Sequence, residues 1–325
     1  MKPVAIVILA AGKGTRMKSD LPKVLQPLLG RPMLDYVLET ARQLKAQKTL
    51  VVIGHQAGLV RETYKDEQVV FIHQRPQLGT GHAVQTTRKE LDSFQGTVLV
   101  LSGDVPIIRP STLKDLLKNH WKEKVVLSLI STVVDAPKGY GRIIRDSRGW
   151  LEKIVEEKDA SPRERRINEI NTGIYCFEKE FLFSFLPRLR RKNQQKEYYL
   201  TDLIHLALRE NLKVAVTLHP EAEEVLGINS HRELARTNRI LRQEVLDHWM
   251  RQGVSILDPS TTYIEKTVRI GSNCVIGPFS VLLGKTRIGT NCVIHSHVVI
   301  ENSVVKDGLT ILPFSRILNR VMNQA

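Results

Sequence analysis

A six-residue period in the last quarter of the chain is the feature that most limits its possible folds. Aliphatic side chains recur at every sixth position from residue 264 to residue 300, and a second series follows each of them by four. The first series is Ile264, Ile270, Ile276, Leu282, Ile288, Ile294 and Ile300, and the second is Val268, Cys274, Ser280, Thr286, Cys292, Val298 and Val304. Helices repeat at 3.6 residues and strands at two, so neither produces this spacing. A parallel β-helix does, because each hexad forms one flat side of a triangular coil.

This repeat predicts a short β-helix over residues 252–325. It supplies about eight hexads, or about two and a half coils, and the weakly amphipathic segment 313–325 is expected to cap the stack. Cys274 and Cys292 should lie one above the other in successive coils, about 4.8 Å apart. Parallel, inward Cβ vectors suit a disulfide poorly, so buried thiols are expected. Cys176 has no partner at zinc-site spacing either.

The first two-thirds of the chain alternate short apolar runs with segments of helical period. The predicted strands are Val4–Leu9, Thr49–Ile53, Val69–His73, Thr97–Leu101, Val125–Ser131 and Gly173–Phe177, and the predicted helices are Met33–Leu44, Gly81–Phe94 and Thr112–His120. This alternation predicts an α/β domain over residues 1–229 with a mostly parallel, Rossmann-like sheet. A long charged helix, His231–Met250, then predicts a linker over residues 230–251.

Composition limits the classes of partner. No apolar run approaches the roughly 18 residues of a membrane span. The stretch Val4–Ala11 is too short for a signal peptide and leads into Gly12 without a cleavage pattern, so a cytoplasmic protein with no membrane contact is expected. The net charge of +14 suits anionic substrates or nucleic acid. Its visible clusters, residues 163–166 and 188–192, lack interleaved aromatic side chains, so we expect solvated surfaces and no nucleic-acid partner.

A glycine-rich loop follows the first predicted strand. Gly12, Gly14 and Thr15 lie where backbone N–H groups can approach phosphate oxygens, although a plain tight turn would look the same. Arg16 and Lys23 follow within one short segment. Phosphoryl and nucleotidyl transfer require positive charge against a crowded triphosphate, and two fixed cations meet that need. The alternative is a pair of solvated surface cations.

A second candidate follows another predicted strand. Asp104, in the run Leu101-Ser-Gly-Asp-Val-Pro106, lies at the carboxyl end of that strand, where parallel sheets bind ligands. A hard divalent cation prefers carboxylate and amide oxygens and bridges substrate phosphates. Asp104 is therefore a candidate Mg²⁺ ligand, and a turn-forming aspartate before proline is the alternative.

Taken in order, these and further motifs resemble one family of enzymes. The segments are Leu9–Met17, Leu21–Lys23, Gln74, Gln77–Gly81, Ser102–Pro106, Gly139–Arg142, Ile154–Glu156, Glu169–Gly173, Tyr198–Asp202 and Gly227–Asn229. Together they closely resemble the bacterial bifunctional N-acetylglucosamine-1-phosphate uridyltransferase/glucosamine-1-phosphate acetyltransferase family. The resemblance implies a Mg²⁺-dependent uridyl transfer from UTP to N-acetylglucosamine-1-phosphate, a left-handed β-helix and a homotrimer formed through that β-helix.

The resemblance also implies a role for each matching position. Nucleotide binding falls to Leu9, Ala10, Ala11, Gly12, Gly14, Thr15, Gln74, Gly79 and Thr80, with two amide hydrogen bonds from Gln74 reading the imide edge of uracil. Arg16 and Lys23 stabilise charge on the α-phosphorus and the departing pyrophosphate. Asp104 and Asn229 ligate Mg²⁺. Sugar binding falls to Gly141, Glu156 and Asn171.

The same resemblance leaves other positions without a role. His55, His73 and His82 are taken as core or surface histidines, because no general base is needed when a phosphate oxygen attacks. The family's acetyl-transfer residues lie in a longer β-helix and have no matching positions here. His295 and His297 stand in a different context, so uridyl transfer without acetyltransferase activity is expected.

Two alternatives remain open at this point. One is a transferase for another sugar-1-phosphate or nucleotide, such as glucose-1-phosphate with UTP or dTTP. The other is a non-catalytic regulatory protein that senses sugar nucleotides. A protein of the second kind should have lost Lys23, Arg16 or Asp104, and all three are present.

Overall fold

The computed structural model describes residues 2–323, so Met1, Gln324 and Ala325, which fall within the predicted domain ranges, lie outside the described part. The chain divides into two compact units. The first runs to Gln26 and from Met33 to Asn229, and the second contains Pro27–Pro32 and the chain from Ser230 onward. The long helix thus groups with the β-helix instead of standing alone as a linker. The grouping of Pro27–Pro32 was not anticipated.

The strands before the long helix alternate with helices, as the sequence predicts. They are β1 (Val4–Ala10), β2 (Pro27–Leu28), β3 (Arg31–Pro32), β4 (Lys48–Ile53), β5 (Val70–His73), β6 (Thr97–Ser102), β7 (Leu127–Val133), β8 (Arg142–Arg145), β9 (Leu151–Val155), β10 (Glu169–Glu178) and β11 (Val214–Leu218). The helices are α1 (Met33–Gln43), α2 (Ala57–Thr63), α3 (Thr80–Gln85), α4 (Arg88–Leu91), α5 (Pro110–Glu123), α6 (Lys179–Phe185), α7 (Asp202–Arg209), α8 (Ala222–Val225) and α9 (His231–Arg251). The predicted helix Gly81–Phe94 is therefore two short helices.

The central sheet of the first unit is mostly parallel, which confirms the predicted class. Its strand order is β11-β7-β10-β6-β1-β4-β5, with β8 pairing to β10 and β9. Strand β1 runs parallel to both β4 and β6, whereas β10 is antiparallel to β6 and β7. The carboxyl ends of β1, β4, β5 and β6 consequently meet at one edge, where loops can converge on a ligand.

Burial on both sheet faces explains the continuous apolar strands. Ile6 and Ile8 belong to one buried cluster, together with side chains of α1, α2 and α5. The alternate residues Ala5 and Val7 belong to a second cluster, with side chains of α3, α4, α6 and α7. Because successive strand residues point to opposite faces, a strand covered on both sides must be apolar throughout.

The second unit contains a stack of short parallel strands. They are β12 (Ser255–Ile256), β13 (Tyr263–Ile264), β14 (Arg269–Ile270), β15 (Val275–Ile276), β16 (Val281–Leu283), β17 (Arg287–Ile288), β18 (Val293–Ile294), β19 (Val299–Glu301), β20 (Val304–Val305), β21 (Thr310–Ile311), β22 (Arg316–Leu318) and β23 (Val321–Met322). They form three sheets of four strands each, the architecture of a left-handed hexapeptide β-helix. The predicted count of two and a half coils is too low. Cys176, Cys274 and Cys292 are buried free thiols, as expected.

The six-residue period shifts once, after Ile300. Arg269 pairs with Arg287, but Arg287 pairs with Val304, one residue earlier than the period requires. Because strand side chains alternate between faces, this shift turns Ser303 and Val305 inward, each 1% exposed. The prediction that Val304 continues the inward series is therefore wrong. Beyond this point the expected cap is replaced by further coil strands up to Met322.

Helix α9 packs on the first coils of the same unit. Leu246 and Trp249 join Val254, Ile256 and Ile264 in one buried cluster. Ser230 caps its N-terminus by accepting a hydrogen bond from the backbone N–H of Glu233. None of the helices within residues 2–323 is long and apolar enough to cross a bilayer.

Candidate active site

A cleft of about 1020 Å³ opens at the carboxyl ends of β1, β4, β5 and β6. The predicted catalytic Lys23 and the predicted metal ligand Asp104 line it, together with most residues predicted to bind the nucleotide: Leu9, Ala10, Ala11, Gly12, Gln74, Gly79 and Thr80. Gly14 and Thr15 are not among its lining residues. They lie where the loop after β1 tightens into a 3₁₀ turn over Thr15–Met17.

Gly14 has two reasons to be glycine. Its φ is +61°, in the left-handed region where a Cβ is costly. A Cβ built on it would also lie 2.8 Å from the Cβ of Lys23. The loop therefore turns tightly against Lys23 and holds the start of that side chain.

The ammonium of Lys23 lies between two oxygen ligands. It forms an ion pair with the carboxylate of Asp104 and donates a hydrogen bond of 2.7 Å to Oδ1 of Asn229. The guanidinium of Arg16 donates to the same Oδ1 at 2.8 Å. The carbonyl of Gly227 accepts from the Asn229 amide nitrogen at 3.1 Å, which keeps Oδ1 turned toward both cations. The structure thus brings together both predicted cationic residues and both predicted metal ligands.

The surroundings of Asp104 keep its carboxylate charged. Burial opposes ionisation, but the charge and hydrogen bond of Lys23 and the hydroxyl of Ser102 outweigh it and lower the pKa of Asp104. The Ser102 hydroxyl donates to Oδ1 at 2.6 Å. A Cβ on Gly227 would lie 3.1 Å from the same oxygen, so the segment before Asn229 approaches Asp104 closely.

Asp104 and Asn229 offer the oxygen donors that a hard divalent cation prefers, and the Lys23 ammonium shows that a cation fits between them. Residues 2–323 contain no cluster of three or more His, Cys, Asp or Glu side chains that could enclose a metal. A Mg²⁺ ion here would keep waters and take its remaining ligands from substrate phosphates, which is usual for this ion.

Two glutamines, Gln74 and Gln77, also line the cleft. The amide nitrogen of Gln77 donates to the carbonyl of Ala11 at 2.8 Å. The amide nitrogen of Gln74 lies 3.0 Å from the carbonyl of Gly79 and 3.1 Å from Nδ1 of His82. Both amide hydrogens of Gln74 are therefore used within the protein. Gln74 can therefore form one hydrogen bond to a base, accepted by its carbonyl oxygen, instead of the two hydrogen bonds expected from the sequence.

The three predicted sugar-binding residues are also brought together. The backbone N–H of Asn171 donates to the carbonyl of Gly141 at 2.9 Å. A Cβ on Gly141 would lie 3.4 Å from Oε2 of Glu156. The side-chain amide of Asn171 donates to the hydroxyl of Tyr175 at 2.6 Å. The lining of the main cleft does not include these three residues, so they form a separate group.

Glu156 lies in an acidic environment. Burial is the main cause that raises its pKa, and the charges of Asp202, Asp159 and Glu197 raise it further. The hydroxyl of Thr201 donates to Oε1 at 3.0 Å and acts in the opposite direction. Oε2, the oxygen nearer to Gly141, has no hydrogen-bond donor among the described residues.

The two residues before Gly141 approach the cluster formed by Arg16, Lys23, Asp104 and Asn229. The hydroxyl of Tyr140 donates to the carbonyl of Gly227 at 3.2 Å, and a Cβ on Gly139 would lie 3.1 Å from Nη1 of Arg16. Sequence reasoning had assigned roles to neither Tyr140 nor Thr201, although both lie within motifs that carry the resemblance. Hydrogen bonds between distant segments were the missing information.

Comparison with known protein families matches two parts of the chain. The sequence model described as "Nucleotidyl transferase" matches residues 5–239, and "Bacterial transferase hexapeptide (six repeats)" matches residues 267–302. The second match ends where the coil period shifts.

Curated relatives cover almost the whole chain. The bifunctional protein GlmU of Geobacter metallireducens is 45% identical over 94% of this chain and 64% of its own length. Those of Geotalea daltonii and Geotalea uraniireducens are 45% and 44% identical over 94% and 99% of this chain, and over 67% and 71% of their own lengths. The chain therefore spans about two-thirds of these relatives, and it belongs to the nucleotidyl transferase family, in the group of hexapeptide-repeat proteins similar to GlmU.

Proposed function

We propose that this chain transfers UMP from UTP to N-acetylglucosamine-1-phosphate, giving UDP-N-acetylglucosamine and pyrophosphate. The observation that carries the proposal is the position of the Lys23 ammonium between Asp104 and Asn229, at a cleft that Gln74 also lines. Gly141, in the group with Glu156 and Asn171, directly follows Gly139 and Tyr140 in the chain. Those two residues approach Arg16 and Gly227, respectively. The cleft offers places for a base and a triphosphate, and the separate group that contains Gly141 offers a place for the sugar.

The reaction is a single in-line displacement. A phosphate oxygen of the sugar phosphate forms a bond to the α-phosphorus of UTP, and the bond from that phosphorus to the bridging oxygen of the β-phosphate breaks. Pyrophosphate leaves with the electron pair, and no proton transfer is required. The guanidinium of Arg16 and the ammonium of Lys23 stabilise the charge that accumulates on the transferred and departing groups, where fixed cations lower the barrier most.

Asp104 and Asn229 are the residues that would hold Mg²⁺. When bound, the ion supplies further positive charge to the phosphate oxygens. The backbone N–H groups of the loop after β1 bind phosphate oxygens, while Glu156 and Asn171 orient the sugar. The Gly12 position supports this assignment, because a Cβ there would meet no protein atom within 4 Å and the free space remains available to a ligand.

Pyrophosphate release by the purified chain tests the proposal. We expect release with UTP, N-acetylglucosamine-1-phosphate and Mg²⁺, and less release with glucose-1-phosphate or with dTTP. Asp104→Ala should abolish turnover while far-ultraviolet circular dichroism stays unchanged. If no pair of nucleoside triphosphate and sugar-1-phosphate gives pyrophosphate release, a non-catalytic protein that senses sugar nucleotides becomes the better hypothesis.

The predicted absence of acetyl transfer remains a prediction for the 325-residue chain. The described stack places His297 in an exposed aromatic ladder between Phe279 and Phe314. Incubation with acetyl-CoA and glucosamine-1-phosphate should give no free CoA above background. The cytoplasmic location also remains a prediction.

We further propose that the β-helix forms a homotrimer, and the same ladder supports it. Phe279, His297 and Phe314 stack with ring centroids 4.8 and 4.9 Å apart, each at a left-handed φ near +60°. The equivalent left-handed positions at the other two corners are occupied by residues that tolerate this conformation: Asn273, Asn291, Gly308, Gly284, Asn302 and Asn319. Bulky side chains at left-handed φ cost about 1–2 kcal/mol each in stability, so we expect another interaction of the aromatic ladder to offset this cost.

Burial of the ladder against a second copy of the chain would offset this cost. Phe279 and Phe314 are 52% and 77% exposed, and Leu257 and Leu312 are both 66% exposed. Apolar surface concentrated in this way marks an interaction site. Sedimentation of Phe314→Asp should show a shift from trimer to monomer, while Lys285→Asp, an exposed change on another corner, should not. A wild-type chain that sediments as a monomer at all concentrations would remove the proposal.

A further inference from the structure

Both hydrogens of the Gln74 side-chain amide are held inside the protein. One points to the carbonyl oxygen of Gly79 at 3.0 Å, and the other to Nδ1 of His82 at 3.1 Å. A backbone carbonyl can only accept, so the atom facing it must be the amide nitrogen. The orientation of the Gln74 amide therefore follows from its partners. With Gln74 only 4% exposed, its carbonyl oxygen is the atom left for a ligand in the cleft.

His82 completes this arrangement from helix α3. Because its Nδ1 accepts a hydrogen, the ring proton must lie on Nε2 and the imidazole must be neutral. Burial lowers the pKa of His82, which keeps the ring neutral at pH 7. The ring lies against Tyr198, with centroids 6.4 Å apart, and the Tyr198 carbonyl accepts from the N–H of Gly81 at 2.8 Å.

The backbone that presents the second acceptor is also fixed. Gly79 has a φ of +104°, and a Cβ there would lie 2.7 Å from the Tyr198 carbonyl. Tyr198 in turn donates its N–H to the carbonyl of Leu78 at 2.8 Å. The carbonyl of Gly79 therefore has little freedom to turn away from Gln74.

We propose that His82 is a specificity-determining positioning residue that, together with the Gly79 carbonyl, locks the Gln74 amide with its oxygen toward the base. This inference rests on the proposed function for the identity of the nucleotide. An acceptor in that position pairs with the N3–H of uracil or thymine. It opposes N3 of cytosine, which is itself an acceptor and carries no proton. His82 acts through Gln74 and makes no contact with substrate.

Without His82, one amide hydrogen loses its partner and only the carbonyl of Gly79 opposes the inverted amide, so the inverted form becomes more populated. The inverted amide presents a donor, which suits N3 of cytosine. The sharpest readout is therefore the ratio of dissociation constants for CTP and UTP, since a residue that merely stabilises the fold would weaken both nucleotides equally.

Isothermal titration calorimetry on the full chain with Mg²⁺ measures both constants without requiring turnover. We expect wild type to favour UTP, and His82→Ala to lower the preference about tenfold, the scale of one hydrogen bond. His82→Asn should keep the preference, because its side-chain oxygen can accept where Nδ1 does. Gln85→Ala, an exposed change on the same helix, is the matched control and should behave as wild type.

A second measurement uses wild type alone, so it decides the matter even where His82→Ala does not fold. UTP methylated at N3 lacks the hydrogen that the Gln74 oxygen accepts, and it should bind at least tenfold more weakly than UTP. Equal binding of the two nucleotides overturns the inference, as does an unchanged CTP-to-UTP ratio in a folded His82→Ala. Selective UTP binding without pyrophosphate release would reject the proposed function and leave the inference standing.

Discussion

Replacing Lys23 by methionine tests the centre of the site most directly. The side chains of Lys23 and Asp104 are only 13% and 16% exposed, so solvent screens their charges weakly. Removing one partner of a fully buried pair costs about 3–5 kcal/mol. The remaining exposure reduces this to about 2–3 kcal/mol for Lys23→Met, since part of each group still contacts water.

The loss should appear as a lower melting temperature. For a unit of this size, about 2–3 kcal/mol corresponds to a shift of about 5–10 °C, measurable by differential scanning fluorimetry. The double variant Lys23→Met/Asp104→Asn should recover most of the shift, because no uncompensated charge remains. Pyrophosphate release should fall by about 10²–10³ in Lys23→Met, which lacks the cation, and further in the double variant, which also lacks the charged oxygen ligand of Asp104.

The pH dependence gives an independent check. In wild type the pKa of Asp104 lies below its ordinary value of 3.8, so the pair stabilises the fold above that pH and less as pH falls through the lowered value. The difference in melting temperature between wild type and Lys23→Met should therefore shrink below about pH 4. A Lys23→Met protein with the same melting temperature and the same turnover as wild type would refute the reasoning.

Three further changes test other parts of the structure. Gly14→Ala should reduce turnover at least tenfold, because the new Cβ meets the Lys23 side chain at a left-handed φ; unchanged kcat/KM for UTP would contradict this. Asp202→Asn should raise the melting temperature above pH 6. Burial and the charge of Asp159 raise the pKa of Asp202 to about 6, so ionisation of this carboxyl costs stability as pH rises from about 4. The gain in melting temperature should disappear at pH 4. Ile294 is fully buried in the β-helix, so Ile294→Ala should lower the free energy of unfolding by about 2–5 kcal/mol. Urea denaturation followed by tryptophan fluorescence measures this loss. Val293→Ala, on the outer face, is the milder control.

Local periodicity in the sequence was enough to predict most of the fold. Strands covered on both sides must be apolar throughout, as β1 is, and hexads must place an aliphatic residue inside each side of a coil, as Ile264 to Ile300 do. Both rules act over a few neighbouring residues, so they are visible in sequence. The shift after Ile300 was missed because it depends on which strand pairs with which, and Ser303 is as plausible inside a coil as Val304.

The candidate site divides in the same way. Gly14, Lys23 and Asp104 follow strand ends, so the topology of a parallel sheet was enough to predict that they converge. Asn229 lies far along the chain, and only the resemblance connected it with them. Most of the acidic surroundings of Glu156 and the bond from Thr201 could not be predicted, because Glu197, Thr201 and Asp202 lie in a segment that is distant in the sequence.

The sequence by itself therefore determined the two architectures and the residue types at the phosphate end of the cleft, since both follow from local spacing. Tertiary structure decided which atoms face a ligand. Gln74 illustrates the difference: its identity suggested two hydrogen bonds to a base, but its neighbours Gly79 and His82 use both amide hydrogens. Hydrogen-bond direction depends on the partners that the folded chain supplies, and no spacing rule in the sequence specifies them.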